Sequence, residues 1–257
     1  MTDADMGLIL ADIVEEAGRL ILPYWAHGET VAHTSKADLS PVTEADQLGE
    51  QLILRRLKDH FPDIPVVAEE QAAEFGTPDA IGDRFFLVDP VDGTKAFMRG
   101  DPSFTVNIGL VAGRHPVAGA VSAPASQETW YTTAGGAMKR STQGGAATPV
   151  HVRPWPKGEA VALISHTMKP ETLAKLTAEY GFDRNLAMDS SIKLCRIAEG
   201  VADIYPRHGP TSEWDICAAQ AVLQAAGGSV TGYQGAEFLY GKADKRFLNE
   251  WFVARGG

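Results

Sequence analysis

The sequence predicts a mixed α/β protein, with an antiparallel sheet in its N-terminal half and a smaller α/β unit in its C-terminal half. Three observations predict this class. An amphipathic helical pattern opens the chain, short strands follow one another over residues 104–133, and strands alternate with helices after residue 160. We expect a single domain over residues 1–257, with subdomains at approximately 1–145 (α+β) and 155–257 (α/β).

Composition excludes several classes of protein. A formal charge of −10 and a pI near 5.2 argue against a nucleic-acid polymer as partner, because such polymers bind basic surfaces. Two cysteines, Cys195 and Cys217, fit neither a disulfide framework nor a metal-ligand spacing, which favours a reducing compartment and two core positions on helices. No secretory signal pattern and no run of 18 apolar residues is present. We therefore expect a cytoplasmic protein, with peripheral association with the inner membrane face left open.

The first sixty residues predict two helices. Over residues 4–25, apolar side chains recur every three or four positions and predict one amphipathic packing helix. These are Met6, Ile9, Leu10, Ile13, Ala17, Leu20, Ile21 and Tyr24. A polar loop over residues 35–46 ends in a helix start, with Thr43 as N-cap and Asp46 in the first turn. We expect this second helix to continue to Leu57 and to end before Pro62.

Two short apolar strands each end in acidic residues. Residues 64–68 are followed by Glu69 and Glu70, and residues 85–88 are followed by Asp89. Strands that end alike in this way predict one acidic cluster along a sheet edge. Paired glutamates at a strand end are also common in solvated loops, so the pattern alone leaves both interpretations open.

The turn after the second of these strands combines groups that suit a metal ion and a phosphate. Its oxygen-bearing groups are the Asp89 carboxylate, the Val91 carbonyl and the Asp92 carboxylate. Carboxylate and carbonyl oxygens are the ligands that Mg²⁺ prefers. Gly93 and Thr94 follow, and residues 94–98 predict a helical turn whose free N–H groups would bind phosphate. The same residue types favour ordinary surface turns.

The remaining segments complete the two halves. Residues 71–83 and 139–158 predict loops, and the second marks a subdomain boundary. Expected strands lie at residues 104–111, 117–123, 129–133, 160–165 and 202–206. The rest of the chain is expected to add short strands that include Val230, Phe238, Phe252 and Val253. Expected helices lie at residues 170–180, 191–199 and 214–226. The last helix ends at Gly227 and Gly228 and holds Asp215 in its first turn, where an acid is favoured with or without a metal.

Four segments together resemble the inositol monophosphatase superfamily of Mg²⁺-dependent, lithium-sensitive phosphatases. They are residues 41–46, Glu69 with Glu70, residues 89–94 with Phe97, and Trp214 with Asp215 leading to Gly227 and Gly228. Their order and spacing match over essentially the whole chain. The resemblance implies the αβαβα sandwich of the sugar phosphatases and hydrolysis of a phosphomonoester.

Within that superfamily the closer likeness is to the bacterial 3'(2'),5'-bisphosphate nucleotidases of the CysQ type. The matching segments are residues 35–43, 104–108, 190–193, 198–200, 205–207, 209–211 and 247–249. The family reaction removes one phosphate from adenosine 3',5'-bisphosphate, and sometimes from its 5'-phosphosulfate relative, leaving AMP or adenylyl sulfate. It clears an inhibitory by-product of sulfate assimilation. The implied partner is a small phosphorylated metabolite, and many relatives are homodimers.

The resemblance also implies roles for individual residues. Two or three Mg²⁺ ions would be held by Glu69, Asp89, the Val91 carbonyl, Asp92 and Asp215. The catalytic residues would be Thr94, Asp46 and Glu69. Asp46 would orient Thr94, which would help to activate the attacking water. Substrate contacts would come from Glu69, Val91, Asp92, Gly93, Thr94, Ser165, Ser191, Lys193, Tyr205, Arg207 and Asp215. The first subdomain would thus bind metal and the second would face the substrate.

Three positions depart from the nucleotidase pattern. Ala96 stands where those enzymes usually carry Glu, Met168 replaces a phosphate-contacting His, and Asp189 replaces a Gly. Ala96, with the later Gly100 and Pro102, is closer to histidinol-phosphate phosphatases. One alternative is therefore a phosphatase of the same fold that acts on histidinol phosphate or an inositol monophosphate. A second alternative is a non-catalytic module that binds metal or phosphate, which Mg²⁺-dependent phosphate release would exclude.

Overall fold

Helices alternate with a seven-stranded and a five-stranded β-sheet in the computed structural model, which describes residues 5–26, 33–35 and 41–257. The α-helices of the described residues are α1 (Met6–Ala26), α2 (Glu44–His60), α3 (Glu69–Phe75), α4 (Thr94–Met98), α5 (Pro170–Tyr180), α6 (Ile192–Ala198) and α7 (Glu213–Ala225). The strands up to residue 149 are β1 (His33–Ser35), β2 (Pro41–Thr43), β3 (Val66–Ala68), β4 (Arg84–Asp92), β5 (Thr105–Ala112), β6 (His115–Ala123), β7 (Glu128–Thr133), β8 (Gly136–Ser141) and β9 (Thr148–Pro149). The later strands are β10 (Val161–Ile164), β11 (Arg184–Ala187), β12 (Ile204–Arg207), β13 (Ser229–Gly232) and β14 (Phe252–Arg255).

The layers follow the order αβαβα. Helices α1 and α2 pack on one face of a seven-stranded sheet in the order β3 to β9, and α6 and α7 pack on its other face. A five-stranded sheet, in the order β11-β10-β12-β14-β13, lies beyond α6 and α7, and α5 covers its outer face. The predicted α/β class and layered sandwich are confirmed, as is the antiparallel meander of β5, β6 and β7. Strand β3 differs, because it runs parallel to β4.

Strand β4 shows how one apolar run builds two cores. Phe85 and Leu87 are buried in the core on the α7 side of the sheet, whereas Phe86 and Val88 are buried in the core on the α1 and α2 side. Successive side chains of a strand point to opposite faces, so a strand covered on both faces is apolar throughout. The first polar side chain, that of Asp89, follows where this run ends.

Helix α7 approaches the sheet closely because two glycines face it. Gly109 on β5 and Gly119 on β6 are paired across the two strands. A Cβ on Gly109 would lie 2.5 Å from the Cys217 Sγ and 2.7 Å from the Ala218 nitrogen, and one on Gly119 would lie 2.4 Å from the Ala218 oxygen. No real Cβ is found so close to another heavy atom, so these positions require glycine. The contact fixes the height of α7 above the sheet, and with it the position of Asp215 in the first turn.

Two sequence-predicted loops contain regular structure. Residues 71–75 belong to α3, and residues 139–141 and 148–149 belong to β8 and β9. Phe238, expected in a strand, is buried but lies outside the strands. Pro90 has no backbone N–H to donate to a ladder, which predicts the end of its strand. Instead it lies inside β4, where the pairing with β5 shifts register between Asp89 and Asp92.

Of the remaining expectations, one is confirmed and others concern residues that the structure does not describe. The two cysteines are buried on α6 and α7, as predicted. Residues 36–40 and the side chain of Thr43, the predicted N-cap, lie outside what the structure describes. None of the described helices combines the length and the apolar character needed to cross a bilayer.

Candidate active site

The parallel pairing of β3 and β4 brings the predicted acidic residues together. Ala68 lies opposite Val88 in the register, so Glu69 and Asp89 follow at the same edge of the sheet. Their side chains are hydrogen-bonded to each other, and Asp46, buried in the first turn of α2, is close enough to raise the pKa of both by repulsion. Three segments that are separate in sequence therefore form one acidic cluster.

Two hydrogen bonds hold the end of β4 and the turn that leads into α4. The Val91 N–H donates to the Asp89 Oδ1 over 3.0 Å, and the Thr94 hydroxyl donates to the Val91 carbonyl over 3.1 Å. Gly93 has a φ of +92°, and a Cβ there would lie 3.0 Å from the Ser103 carbonyl oxygen. Both its backbone conformation and the surrounding space thus require glycine between β4 and α4.

Asp92 and Asp215 enter the same site from different layers. Asp92, at the end of β4, accepts a hydrogen bond from the backbone N–H of Ser191. Asp215, in the first turn of α7, accepts one from the backbone N–H of Ser212 over 2.9 Å, which completes a capping box. Repulsion from Asp92 contributes to the raised pKa of Asp215, so the two carboxylates lie close enough to interact electrostatically.

Loss of hydration and mutual repulsion disfavour the charged forms of these acids. Loss of hydration is the largest cause of the raised pKa of Glu69, Asp89, Asp92 and Asp215, and neighbouring carboxylates raise these pKa values further. For Asp215 the pKa is raised to about 7. At Asp92 the attraction of Lys193 opposes the increase. Such a concentration of buried negative charge is stabilised by a bound cation.

The donor set fits a hard divalent cation in its chemistry. The side chains at the cluster are carboxylates, with a backbone carbonyl between two of them, and oxygen donors of this kind suit Mg²⁺. Across the described residues, however, no three His, Cys, Asp or Glu side chains stand in a ready chelating arrangement. Asp89, Asp92 and Asp215 each direct an oxygen to a backbone N–H instead.

A cleft of about 580 Å³ opens beside the acidic cluster. The predicted site residues that line it are Glu69, Asp92, Gly93, Thr94, Ser165, Ser191, Lys193, Tyr205, Arg207 and Asp215. Asp46, Asp89 and Val91 are buried and do not line it. Carboxylates from the first half of the chain thus meet basic side chains from the second half across one cavity.

Lys193 and Arg207 are the two predicted basic residues of the cleft, which Lys95 and Arg99 also line. Lys193 is buried, donates to the Ser190 carbonyl over 2.6 Å, and has its Nζ 4.9 Å from the centre of the Tyr205 ring. Burial lowers the pKa of Lys193 to about 8, against the attraction of Asp92. Arg207 donates to the Pro210 carbonyl over 3.0 Å, and its buried Nε has no hydrogen-bond partner among the described residues. A spare buried donor of this kind suits an anionic ligand.

The Ser191 side chain is buried and forms hydrogen bonds within the protein. Its hydroxyl donates to the Asn107 Oδ1 over 2.6 Å and lies 2.8 Å from the Thr105 hydroxyl. With the bond from its backbone N–H to Asp92, this network ties β4 and β5 to the start of α6. The structure therefore gives the Ser191 hydroxyl a role in holding the site together.

Glu50 is a residue of the site that the sequence patterns missed. Its buried carboxylate accepts the backbone N–H groups of Glu70 over 2.7 Å and Gln71 over 2.9 Å, and so caps α3 at the end where Glu69 lies. Glu50 lies on α2, some twenty residues earlier in the chain, so no local capping rule detects it. It fixes the helix that carries Glu69.

Glu50→Ala is expected to lower the free energy of unfolding by about 1–3 kcal/mol, because it removes the acceptor of two partly buried N–H groups. Urea denaturation of the purified protein measures this. Gln51→Ala is the matched control, because Gln51 is the next residue of α2 and is exposed. Equal stability of the two variants would contradict the capping role.

Comparison with known proteins identifies the class to which this fold and site belong. A profile described as the inositol monophosphatase family matches residues 5–251. The chain belongs to the inositol monophosphatase family.

Within the family, the chain is similar to bacterial 3'(2'),5'-bisphosphate nucleotidases. The CysQ nucleotidase of Salmonella typhimurium is 35% identical over 243 residues, which cover 95% of this chain and 96% of that protein. The crystal structure of CysQ from Bacteroides thetaiotaomicron matches with a TM-score of 0.77 at 31% identity, over 97% of this chain and 96% of that one. Inositol monophosphatase 1 of Solanum lycopersicum is 30% identical over 90% of this chain and 85% of its own length. The resemblance drawn from the sequence motifs is thereby confirmed.

Proposed function

We propose that this protein is a 3'(2'),5'-bisphosphate nucleotidase that hydrolyses the 3'-phosphate of adenosine 3',5'-bisphosphate to AMP and phosphate. The 5'-phosphosulfate relative is a second candidate substrate. The similarity to the Salmonella nucleotidase over nearly the full length of both chains carries the proposal. The cleft supports it, because carboxylates line it together with the basic side chains of Lys193 and Arg207. Such a site accommodates a ligand with several negative charges once a cation is present.

The proposed cofactor is Mg²⁺, in two or three ions. The residues that would hold it are Glu69, Asp89, the carbonyl of Val91, Asp92 and Asp215. When bound, Mg²⁺ supplies Lewis acidity to phosphoryl oxygens and lowers the pKa of water. The raised pKa values of these carboxyls support this assignment, because buried charges that repel one another bind a cation favourably.

The chain's own groups would position the attacking water and the phosphate. The Thr94 hydroxyl, in the same turn as Asp92, would hold the water, and Asp46 would orient Thr94. Glu69 lines the same cleft as Thr94 and would accept a hydrogen bond from the same water. The backbone N–H groups of Gly93 and Thr94 would bind phosphate oxygens.

The second half of the chain would recognise the remainder of the substrate. Lys193 and Arg207 would offset its negative charge, and Ser165 and Tyr205 would contact it. Residues 1–145 would thus act as the metal-binding subdomain and residues 155–257 as the substrate-side subdomain. A cytoplasmic location and a homodimer complete the proposal, with no nucleic-acid polymer as partner.

A phosphatase of the same fold with another substrate is the second candidate. Ala96 lines the cleft where the nucleotidases usually carry Glu, and it favours histidinol phosphate. The similarity to the tomato inositol monophosphatase favours an inositol monophosphate. Both candidates keep the metal chemistry and change only the contacts to the leaving group.

Phosphate release by the purified protein distinguishes these candidates. Adenosine 3',5'-bisphosphate, histidinol phosphate and inositol 1-phosphate are compared at equal concentration with Mg²⁺, each with and without lithium. We expect the highest kcat/KM for the bisphosphate, together with inhibition by lithium. Preference for either monophosphate would replace the nucleotidase proposal with the second candidate. Phosphate release from none of the three would favour a binding module.

A further inference from the structure

Three charged or polar side chains from separate segments meet at the edge of the cleft. Arg99 follows α4, His166 follows β10, and Asp189 lies before α6; all three line the cavity. One Arg99 guanidinium nitrogen lies 2.8 Å from the Asp189 Oδ2, and the His166 Nδ1 lies 3.3 Å from the same oxygen. One carboxylate oxygen thus holds two potential anion-binding groups from different segments of the chain.

Asp189 is the most enclosed member of this group. Its side chain is 21% exposed, against 52% for Arg99 and 42% for His166. Asp189 also raises the pKa of Asp92 by repulsion, so its negative charge reaches the floor of the cleft. An anionic ligand group that approached Arg99 and His166 would have to displace this carboxylate or bind beside it.

A second carboxylate, Asp101, lies in the neighbourhood of the same pair. Burial opposes ionisation of Asp101, but hydrogen bonds from Ser103 lower its pKa, and His166 and Arg99 lower it further. Its Oδ1, however, accepts the backbone N–H of Ser103 over 2.8 Å, and Asp101 does not line the cleft. Asp101 therefore acts on the pair at longer range, whereas Asp189 is in direct contact with it.

We infer that Asp189 is a specificity-determining residue that occupies Arg99 and His166 as an internal anion and so weakens binding of a substrate's second phosphate. The inference rests on the proposed nucleotidase function. A substrate with one phosphate places that group at the acidic cluster and leaves Arg99 and His166 with Asp189. A nucleoside bisphosphate carries a further phosphate, which competes with the Asp189 carboxylate for these two side chains and is repelled by it.

The test compares Asp189→Asn with the wild-type enzyme on two substrates, adenosine 3',5'-bisphosphate and adenosine 3'-monophosphate, with Mg²⁺ at fixed ionic strength. The amide keeps the shape and an acceptor oxygen and removes the charge. We expect the ratio of KM for the bisphosphate to KM for the monophosphate to fall by roughly three- to fivefold, the effect of one half-exposed charge pair. Higher salt should reduce this difference.

Two further variants show whether the effect passes through the pair. In an Arg99→Gln background, Asp189→Asn should change the ratio less, because the carboxylate's main partner is already absent. Asp101→Asn, which removes a nearby charge without touching the pair, should leave the ratio at the wild-type value. An equal fall in Asp101→Asn, or an unchanged ratio in Asp189→Asn, would overturn the inference.

The wild-type measurement separates this inference from the proposed function. Absence of phosphate release from the bisphosphate, with release from another phosphomonoester, would overturn the nucleotidase function and the role of Asp189 with it. Release from the bisphosphate with no response to Asp189→Asn would overturn the role of Asp189 alone. A loss of turnover on both substrates would instead assign Asp189 to holding the turn before α6, and would also overturn the inference.

Discussion

Asp92→Asn is expected to lower phosphate release by about 10²-fold to 10³-fold while the protein stays folded, the range found when one preorganised electrostatic group is removed from a site. Asp92 lies where β4 ends, faces Lys193 and Arg207, and is one of the proposed Mg²⁺ ligands. The substitution removes the charge that a cation would bind. It keeps an amide oxygen that can accept the backbone N–H of Ser191, so the link between β4 and the start of α6 is retained.

Kinetics and thermal unfolding together measure this result. Asp79→Asn is the matched control, because Asp79 is exposed in the loop between α3 and β4 and its change removes the same charge. We expect Asp79→Asn to retain wild-type kcat and Asp92→Asn to retain a melting temperature close to that of the wild type. Near-normal turnover in Asp92→Asn, with the wild-type dependence on Mg²⁺ concentration, would remove Asp92 from the metal site.

The second large effect concerns stability against pH in the metal-free protein. Asp215 has its pKa raised from 3.8 to about 7 in the folded state, chiefly by loss of hydration and then by the charge of Asp92. Since the folded state holds this proton more tightly than the unfolded state, the contribution to the free energy of unfolding is complete below about pH 3.8 and is lost as the pH rises through about 7. Glu69 and Asp89, whose pKa values are also raised, act in the same direction.

Mg²⁺ should therefore raise the melting temperature more at about pH 8 than at about pH 5.5, because the cation competes with protons for the same carboxylates. One pKa unit corresponds to about 1.4 kcal/mol, and about 1 kcal/mol moves the melting temperature of a chain of this size by roughly 2–4 °C. We expect a difference of several degrees, measured by thermal unfolding in EDTA and in Mg²⁺. Asp215→Asn should reduce that difference and Asp79→Asn should not. A Mg²⁺ effect of the same size at both pH values would contradict the proposed ligand set.

Much of the acidic cluster was predictable, because the change from an apolar run to acidic residues marks in the sequence where each strand ends. The apolar runs before Glu69 and Asp89 indicated two strands that end in acids, and the structure aligns them in parallel. The position of Asp215 followed from the helix signals around residues 214–228. In these cases the pattern that forms the element also places the functional residue.

Other parts of the fold depend on contacts that no local pattern contains. The N-terminus of α3 is capped by Glu50 from another helix, so residues 71–75 read as a loop. Strand β11 has four exposed residues and shows no apolar alternation, because it lies at the edge of its sheet. The contact among Arg99, His166 and Asp189 joins three segments that are distant in sequence. In the sequence, each of these residues looks like an ordinary solvent-exposed polar residue.

The close contact of α7 with Gly109 and Gly119 has a consequence for how variation in this chain should be interpreted. The separation of Asp92 and Asp215 depends on two residues that contribute no atom to the cleft, because they allow the backbone of α7 to rest directly on the sheet. A single added methyl group at either glycine would push the helix outward and move one carboxylate away from the other. A genetic change at these positions would look like damage to the catalytic residues, although every polar side chain of the site would still be encoded.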